Sequence, residues 1–156
     1  MKKEIVISNN LANYINKNLI LKNWEAIELS KVSGINPSDI SKYRKGTVQK
    51  LKADIFYKIY KAFDDSCSSA TKIIYPELDL KLNKYKPKKR NEFGHFMAQF
   101  EQNKNSIEEI SAKTDINEQR LKELYYRNAS VEAHELLLIE KAIGKKQGEL
   151  FEEIYK

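Results

Sequence analysis

Between Ser33 and Gly46 the chain sets out hydroxyl, carboxylate and ammonium groups at helical spacing: Ser38, Asp39, Ser41, Lys42 and Lys45. Ile40 and Tyr43, three residues apart, put an apolar stripe on the other face of the same short segment. A helix with that division hydrogen-bonds outward along one side. Its groups match the edges of base pairs in a DNA major groove. Lys42 can donate to guanine O6 and N7, Asp39 can accept from cytosine N4, and Ser38 can serve either base. Asn36, Ser41, Arg44, Lys45, Thr47 and Lys50 lie around them, where contacts to phosphate would fix register without reading sequence. The same residues have plainer uses. Arg44 and Lys45 suit a helix C-terminus and Asp39 suits an N-terminus.

The elements that must hold this face can be read from its flanks. Gly34 can take the left-handed conformation of a sharp helix exit. Asn36 is a good N-cap, and Pro37 falls at the first helical position, where a missing N–H costs nothing. Gly46 closes the segment. The reading is a helix, a tight turn and a second helix whose far face is free, the geometry of a major-groove reader. Trp24, Ile40 and Tyr43 belong to its core.

Composition limits the alternatives. Of 156 residues, 41% are hydrophobic, enough for a packed core, and the net charge is +6. A mean hydropathy of −0.65 indicates a soluble chain. No apolar run approaches the roughly 20 residues of a membrane span, and the first residues lack the pattern of a signal peptide. Cys67 is the single cysteine, so neither a disulfide framework nor a cysteine metal cluster is possible. The setting expected is a reducing cytoplasm. Residues 1–92 carry 19 basic and 10 acidic residues, whereas residues 93–156 carry 9 and 12. A basic half attracts polyanions through counterion release. No enzyme is expected. His95 and His134 lack metal-ligand spacing, no P-loop or dinucleotide motif is present, and Glu108-Glu109 and Glu152-Glu153 point to different sides of their helices. Neither a metal nor a cofactor is called for.

Low Gly and Pro with Leu, Ile, Lys and Glu at helical spacing predicts an all-α protein. Residues 1–7 read as an extended arm. Helices are expected from Ser8, as N-cap, to about Leu21, over 25–33, in the Pro37 segment, and over about 52–62. A short turn is expected within 64–70, with Lys72 to Tyr75 extended before Pro76. Residues 71–90 read as a linker. Leu78, Leu80 and Leu82 would pack on a domain, and a basic run containing Lys88, Lys89 and Arg90 either is solvated or tracks phosphates. Beyond it, Phe93, Phe96, Met97 and Phe100 line one face. Ser106 and Glu109 form a capping box, a short helix covers 118–126, Ser130 caps a helix from Val131 to Ile143, and an amphipathic piece covers 149–155.

The second half repeats the first. Leu29 to Asn36 aligns with Ile110 to Asn117, Ile40 with Leu121, and Ile59 to Phe63 with Ile139 to Ile143 after a one-residue gap. The expected organisation is two tandem five-helix domains, 1–70 and 91–156, joined by the partly packed basic linker 71–90.

At Leu29-Ser30, Gly34-Ile35-Asn36, Ile40-Ser41 and Gly46 the first half resembles the Cro/repressor-like (XRE) helix-turn-helix family, ungapped through the motif. The resemblance covers about residues 10–70. It implies a five-helix domain that binds double-stranded DNA sequence-specifically, usually as a homodimer on a near-palindromic operator, hence a transcription regulator such as a repressor. Ala26 stands where the family often has a phosphate-contacting Gln, Ser30 replaces the usual Ala, and Arg44 replaces a common Glu. In the second copy Asp115 replaces the turn glycine, Ile107 stands for the Gln and Arg127 for the closing Gly. There Asn117, Gln119, Arg120, Lys122 and Arg127 could meet DNA, but Glu118, Glu123 and the acidic balance oppose it. The rival for that half is a surface for dimerisation or a protein partner, using Tyr125, Tyr126, Leu150, Phe151 and Ile154, all equally suited to a core. A protein–protein module, such as an antitoxin or regulatory adaptor on the same scaffold, is the alternative for the whole chain.

Overall fold

A computed structural model describes residues 7–86, 91–97 and 105–156. Among them every regular element is a helix: α1 (Ser8–Lys22), α2 (Ala26–Ser33), α3 (Pro37–Arg44), α4 (Ala53–Ala62), α5 (Cys67–Ile74), α6 (Glu92–Met97), α7 (Ile107–Thr114), α8 (Glu118–Tyr126), α9 (Ala133–Ala142) and α10 (Glu149–Tyr155). None is long and apolar enough to cross a membrane.

Each helix starts and stops for a local reason. α1 buries Leu11, Tyr14, Ile15 and Leu19 at the spacing of one helical face and ends at Asn23 in the left-handed region. Ile7, not Ser8, occupies its N-cap position and is buried. α5 runs further than the sequence suggests. Ser66 caps it by accepting from the Ser69 N–H at 3.1 Å, and Cys67, Ala70, Thr71 and Ile74 form its buried stripe. The serines that weaken a mid-helix reading thus begin a helix, and Lys72 to Ile74, expected to be extended, complete it before Pro76. α9 begins at Ala133 with Glu132 as its cap, not Ser130. Val131 and Glu132 stay extended because they pair with the loop before α4. Ala53 donates to the Val131 carbonyl at 2.9 Å, Ala133 donates to the Leu51 carbonyl at 2.8 Å, and Lys52 and Glu132 face each other in an antiparallel bridge.

The buried side chains among the described residues form two clusters. The larger draws on α1 to α5, including Leu11, Tyr14, Leu29, Ile40, Phe56 and Ile59, and also takes in Ala133, Leu136, Leu137 and Phe151 from α9 and α10. The smaller joins Ile110, Ile116 and Leu121, with Leu124, Leu138, Ile139 and Ile143 against them. The second half therefore places its last two helices in the core of the first. Phe151, fully buried, lies 5.4 Å from the Phe56 ring, and Tyr57 and Lys61 on α4 donate to the Glu152 carboxylate at 3.0 and 2.9 Å. Burial alone would raise the Glu152 carboxyl, but the Lys61 bond is the larger influence and holds it below its ordinary value.

The connecting segment is partly docked. Leu78 and Leu80 pack half-buried on the large cluster. Asn83 donates its backbone N–H to the Lys113 carbonyl and its side-chain amide to the Ala112 carbonyl, satisfying two orphan acceptors at the end of α7. Lys88, Lys89 and Arg90 lie outside the described residues, as does Phe100. Phe93 and Phe96, read as lining one helical face, are 72% and 61% exposed and join neither buried cluster.

Candidate nucleic-acid interface

The turn that carries α3 is built from short side chains bonding to backbone. Ser33 donates its hydroxyl to the Leu29 carbonyl at 2.6 Å and accepts from the Ile35 N–H at 3.1 Å. Gly34 sits at φ 77° with its N–H on the Ser30 carbonyl. Ser30, in place of an alanine, donates to the Ile35 carbonyl at 2.6 Å and ties the turn to α2. Asn36 caps α3 through the Ser38 N–H at 3.0 Å, with Pro37 at the first position. Ile35 and Ile40 are buried and Tyr43 is half-buried, so α3 is pinned along one side.

The opposite side is open. Asn36, Ser38, Ser41, Lys42, Arg44, Lys45, Thr47 and Lys50 are exposed and Asp39 is half-exposed. Among the described residues no acid pairs with Lys42, Lys45 or Lys50. Some of the set already has internal work. The Ser38 hydroxyl donates to Asn36 Oδ1 at 2.9 Å, Thr47 Oγ1 donates to the Lys42 carbonyl at 3.1 Å, and Arg44 Nε donates to Asn16 Oδ1 on α1 at 2.7 Å. That last bond holds the guanidinium at the α1–α3 seam while leaving its outer nitrogens available. Burial raises the Tyr43 hydroxyl's pKa, and the negative charge of Asp39, one turn earlier, raises it further.

The second half repeats the cap and turn bonds of this scaffold, although Ser111, aligned with Ser30, makes no bond to the Ile116 carbonyl. Thr114 Oγ1 donates to the Ile110 carbonyl at 2.6 Å and accepts from the Ile116 N–H at 3.2 Å, as Ser33 does. Asp115 takes the left-handed conformation at φ 64°, with its N–H on the Ser111 carbonyl. Asn117 caps α8 through the Gln119 N–H at 2.7 Å. After α4, Asp64 and Asp65 donate to Lys61 and Tyr60; after α9, Gly144 and Lys145 donate to Lys141 and Glu140. Two details differ from the sequence alignment. α8 is one residue longer than α3, so the left-handed residue that closes it is Asn128 at φ 55°, not Arg127. The Glu109 carboxylate reaches back to the Asn105 N–H instead of that of Ser106.

Outward chemistry diverges. Where α3 has Lys42, Arg44 and Lys45, the aligned α8 positions are Glu123, Tyr125 and Tyr126, the last two 49% and 75% exposed. Asn117, Gln119, Lys122 and Arg127 are exposed. Arg120 is turned inward. Its Nε and Nη2 each bond a Glu135 oxygen at 2.8 Å, and Nη2 also reaches the Ser130 carbonyl at 2.9 Å. Burial pushes the Glu135 carboxyl up, but the Arg120 fork and the Glu132 N–H outweigh it and hold it low. That role was invisible in sequence because Glu135 lies on the next helix, and α9 buries a second acid, Glu140, that Arg120 does not meet. Phe151 and half-buried Leu150 belong to the core, whereas Ile154 is 51% exposed.

Among the described residues no group of three or more His, Cys, Asp or Glu side chains is placed to hold a metal ion. Cys67 is buried, and burial pushes its thiol up to about 12. Comparison of the chain with family models, with curated proteins and with solved structures gives no match.

Proposed function

We propose that this chain binds double-stranded DNA through α3 and acts as a transcription regulator of the Cro/repressor-like kind, in the cytoplasm. The observation that carries the reading is the division of α3. Ile40 and Tyr43 fasten one side, while Ser38, Ser41, Lys42 and Lys45 stand exposed on the other, with the lysines unpaired among the described residues. Ser38, Asp39 and Lys42 are the base-reading set. Asn36, Ser41, Arg44, Lys45, Thr47 and Lys50 hold phosphates, and the position of Ala26 offers no side-chain donor of that kind. Purified protein incubated with a pool of random duplexes is expected to retain them at low salt and to lose affinity steeply between 50 and 200 mM salt, about 10³-fold or more for six phosphate contacts. No retention at low salt discards the reading.

A second reading has its own observation. Tyr125 and Tyr126 are exposed side by side, rings 6.1 Å apart, at the end of an acid-bearing helix. Exposed adjacent aromatics suit a protein partner. On this reading the chain is an antitoxin-like or adaptor module, a partner copurifies, and Lys42→Glu with Lys45→Glu leaves that partner bound.

A further inference from the structure

The contact between the two halves has a symmetry that neither half has alone. Leu51, Lys52 and Ala53 correspond in the repeat to Val131, Glu132 and Ala133. The bond from Ala53 to Val131 becomes, under that correspondence, the bond from Ala133 to Leu51, and both are present, at 2.9 and 2.8 Å. Lys52 meets its own counterpart Glu132 across the bridge, and α4 packs on its counterpart α9. Equivalent residues touching reciprocally define an isologous, approximately two-fold contact, the arrangement of a symmetric homodimer, here made within one chain.

Such an axis has a geometric consequence. Rotation about a two-fold leaves height along the axis unchanged, so α3 and α8 lie at one height along it, on opposite sides of the bridge. Their separation is bounded by the chain. Gly46 is six residues from Lys52, and Asn128 is four from Glu132. Fully extended stretches of that length, the width of the bridge and half of each short helix put the helix centres no more than about 50 Å apart. That admits a half-site spacing of one DNA turn, about 34–36 Å, and excludes two turns.

Resting on the DNA-binding reading above, we infer that one chain is the complete binding unit and engages two unlike half-sites about one helical turn apart. It therefore recognises an asymmetric duplex site where a homodimer would recognise a palindrome. α3 meets the dominant box with its lysines. α8 meets the other with Gln119, suited to adenine N6 and N7, while Lys122, Arg127 and the Tyr125 and Tyr126 hydroxyls lie near the phosphates. Arg120 takes no part because Glu135 and Ser130 hold it. The Arg120–Glu123 ion pair at 3.7 Å partly offsets the negative charge on that face.

The test is selection of bound sequences from random duplexes with the full chain, followed by sedimentation of the complex on a selected duplex. One chain per duplex and a consensus of two different boxes centred about 10 base pairs apart are expected. Gln119→Ala with Lys122→Ala, both at exposed positions, is expected to relax the second box only and to weaken binding about 10- to 100-fold. Ser38→Ala with Lys42→Ala is expected to relax the first box. Two chains on a palindromic consensus, or a single box indifferent to the α8 substitutions, overturns the inference and leaves α3-based binding standing. Failure to retain any duplex overturns both.

Discussion

The α2–α3 and α7–α8 motifs share a backbone and differ in almost everything else. Ser33 and Thr114 make the same pair of bonds, Gly34 and Asp115 the same left-handed turn, and Asn36 and Asn117 the same cap. Around that scaffold Lys42, Arg44 and Lys45 become Glu123, Tyr125 and Tyr126. The cores differ too. The first half closes a large cluster around α1 to α5, whereas the second keeps a small one and lends α9 and α10 to its neighbour. The turn geometry depends on a few short side chains bonding locally and survives wide substitution. The outward face is set by no packing constraint and is free to change its role.

The sharpest way to break the comparison is through the shared core. Phe151 is fully buried against Phe56, Tyr60 and Tyr155. Phe151→Ala is expected to cost about 3–5 kcal/mol and to lower the thermal midpoint of both halves in one transition, since the cavity opens in a cluster they share. Calorimetry that resolves two transitions, with only the second shifted, would show that the halves are independent units.

Next in size is the outer face. Lys42→Glu with Lys45→Glu replaces two exposed cations by anions and is expected to reduce duplex affinity at least about 100-fold, near 2.7 kcal/mol, and to flatten the salt dependence. Lys122→Glu on α8 is expected to cost several-fold less. Fluorescence anisotropy on one duplex measures both. Equal losses would erase the distinction drawn between the helices.

The sequence carried the turn well because its determinants are local: a glycine, an Asn-Pro cap, and apolar residues three or four apart. It carried α7 and α8 for the same reason, and the end of α5 was lost because Ser66-Cys67-Ser68-Ser69 reads as a breaker unless Ser66 is recognised as a cap. Long-range facts were not legible. Nothing local in Val131 and Glu132 says that they pair with Leu51 to Ala53, and so α9 was expected two residues early. Nothing local in Arg120 says that Glu135, only 6% exposed, needs its fork. The outer face of α3 was readable as polar and basic; the commitments of Arg44 to Asn16 and of Ser38 to Asn36 were not.

Arg120 gives a smaller effect with a clear sign in pH. Arg120→Met leaves a buried carboxylate without its partner, at a cost of about 2–3 kcal/mol near neutrality. In the native chain the Glu135 carboxyl titrates below its ordinary value, so its contribution is present above the unfolded carboxylate range and is lost as pH falls through the folded value. In the variant burial dominates, the carboxyl is pushed up, and protonation relieves the penalty. The two chains are therefore expected to converge in stability as pH is lowered from 7 to 4. Urea midpoints across that range check it, and a constant gap would mean that Glu135 acquires another partner.

The smallest effects come from the two turns, where the scaffolds are most alike. Gly34 at φ 77° has nothing within 4 Å of where a Cβ would stand, so Gly34→Ala costs only the backbone strain of an L-residue in the left-handed region, about 1 kcal/mol. Asp115 at φ 64° already bears that strain, though aspartate tolerates the region better than alanine. Asp115→Gly relieves it and adds unfolded-state entropy, so the net gain is expected to be a few tenths of a kcal/mol. Opposite signs for the two substitutions, read from denaturant midpoints with unchanged m-values, are what a common turn geometry requires. Equal destabilisation by both would mean that the Asp115 carboxylate does work in the second motif that Gly34 cannot do in the first.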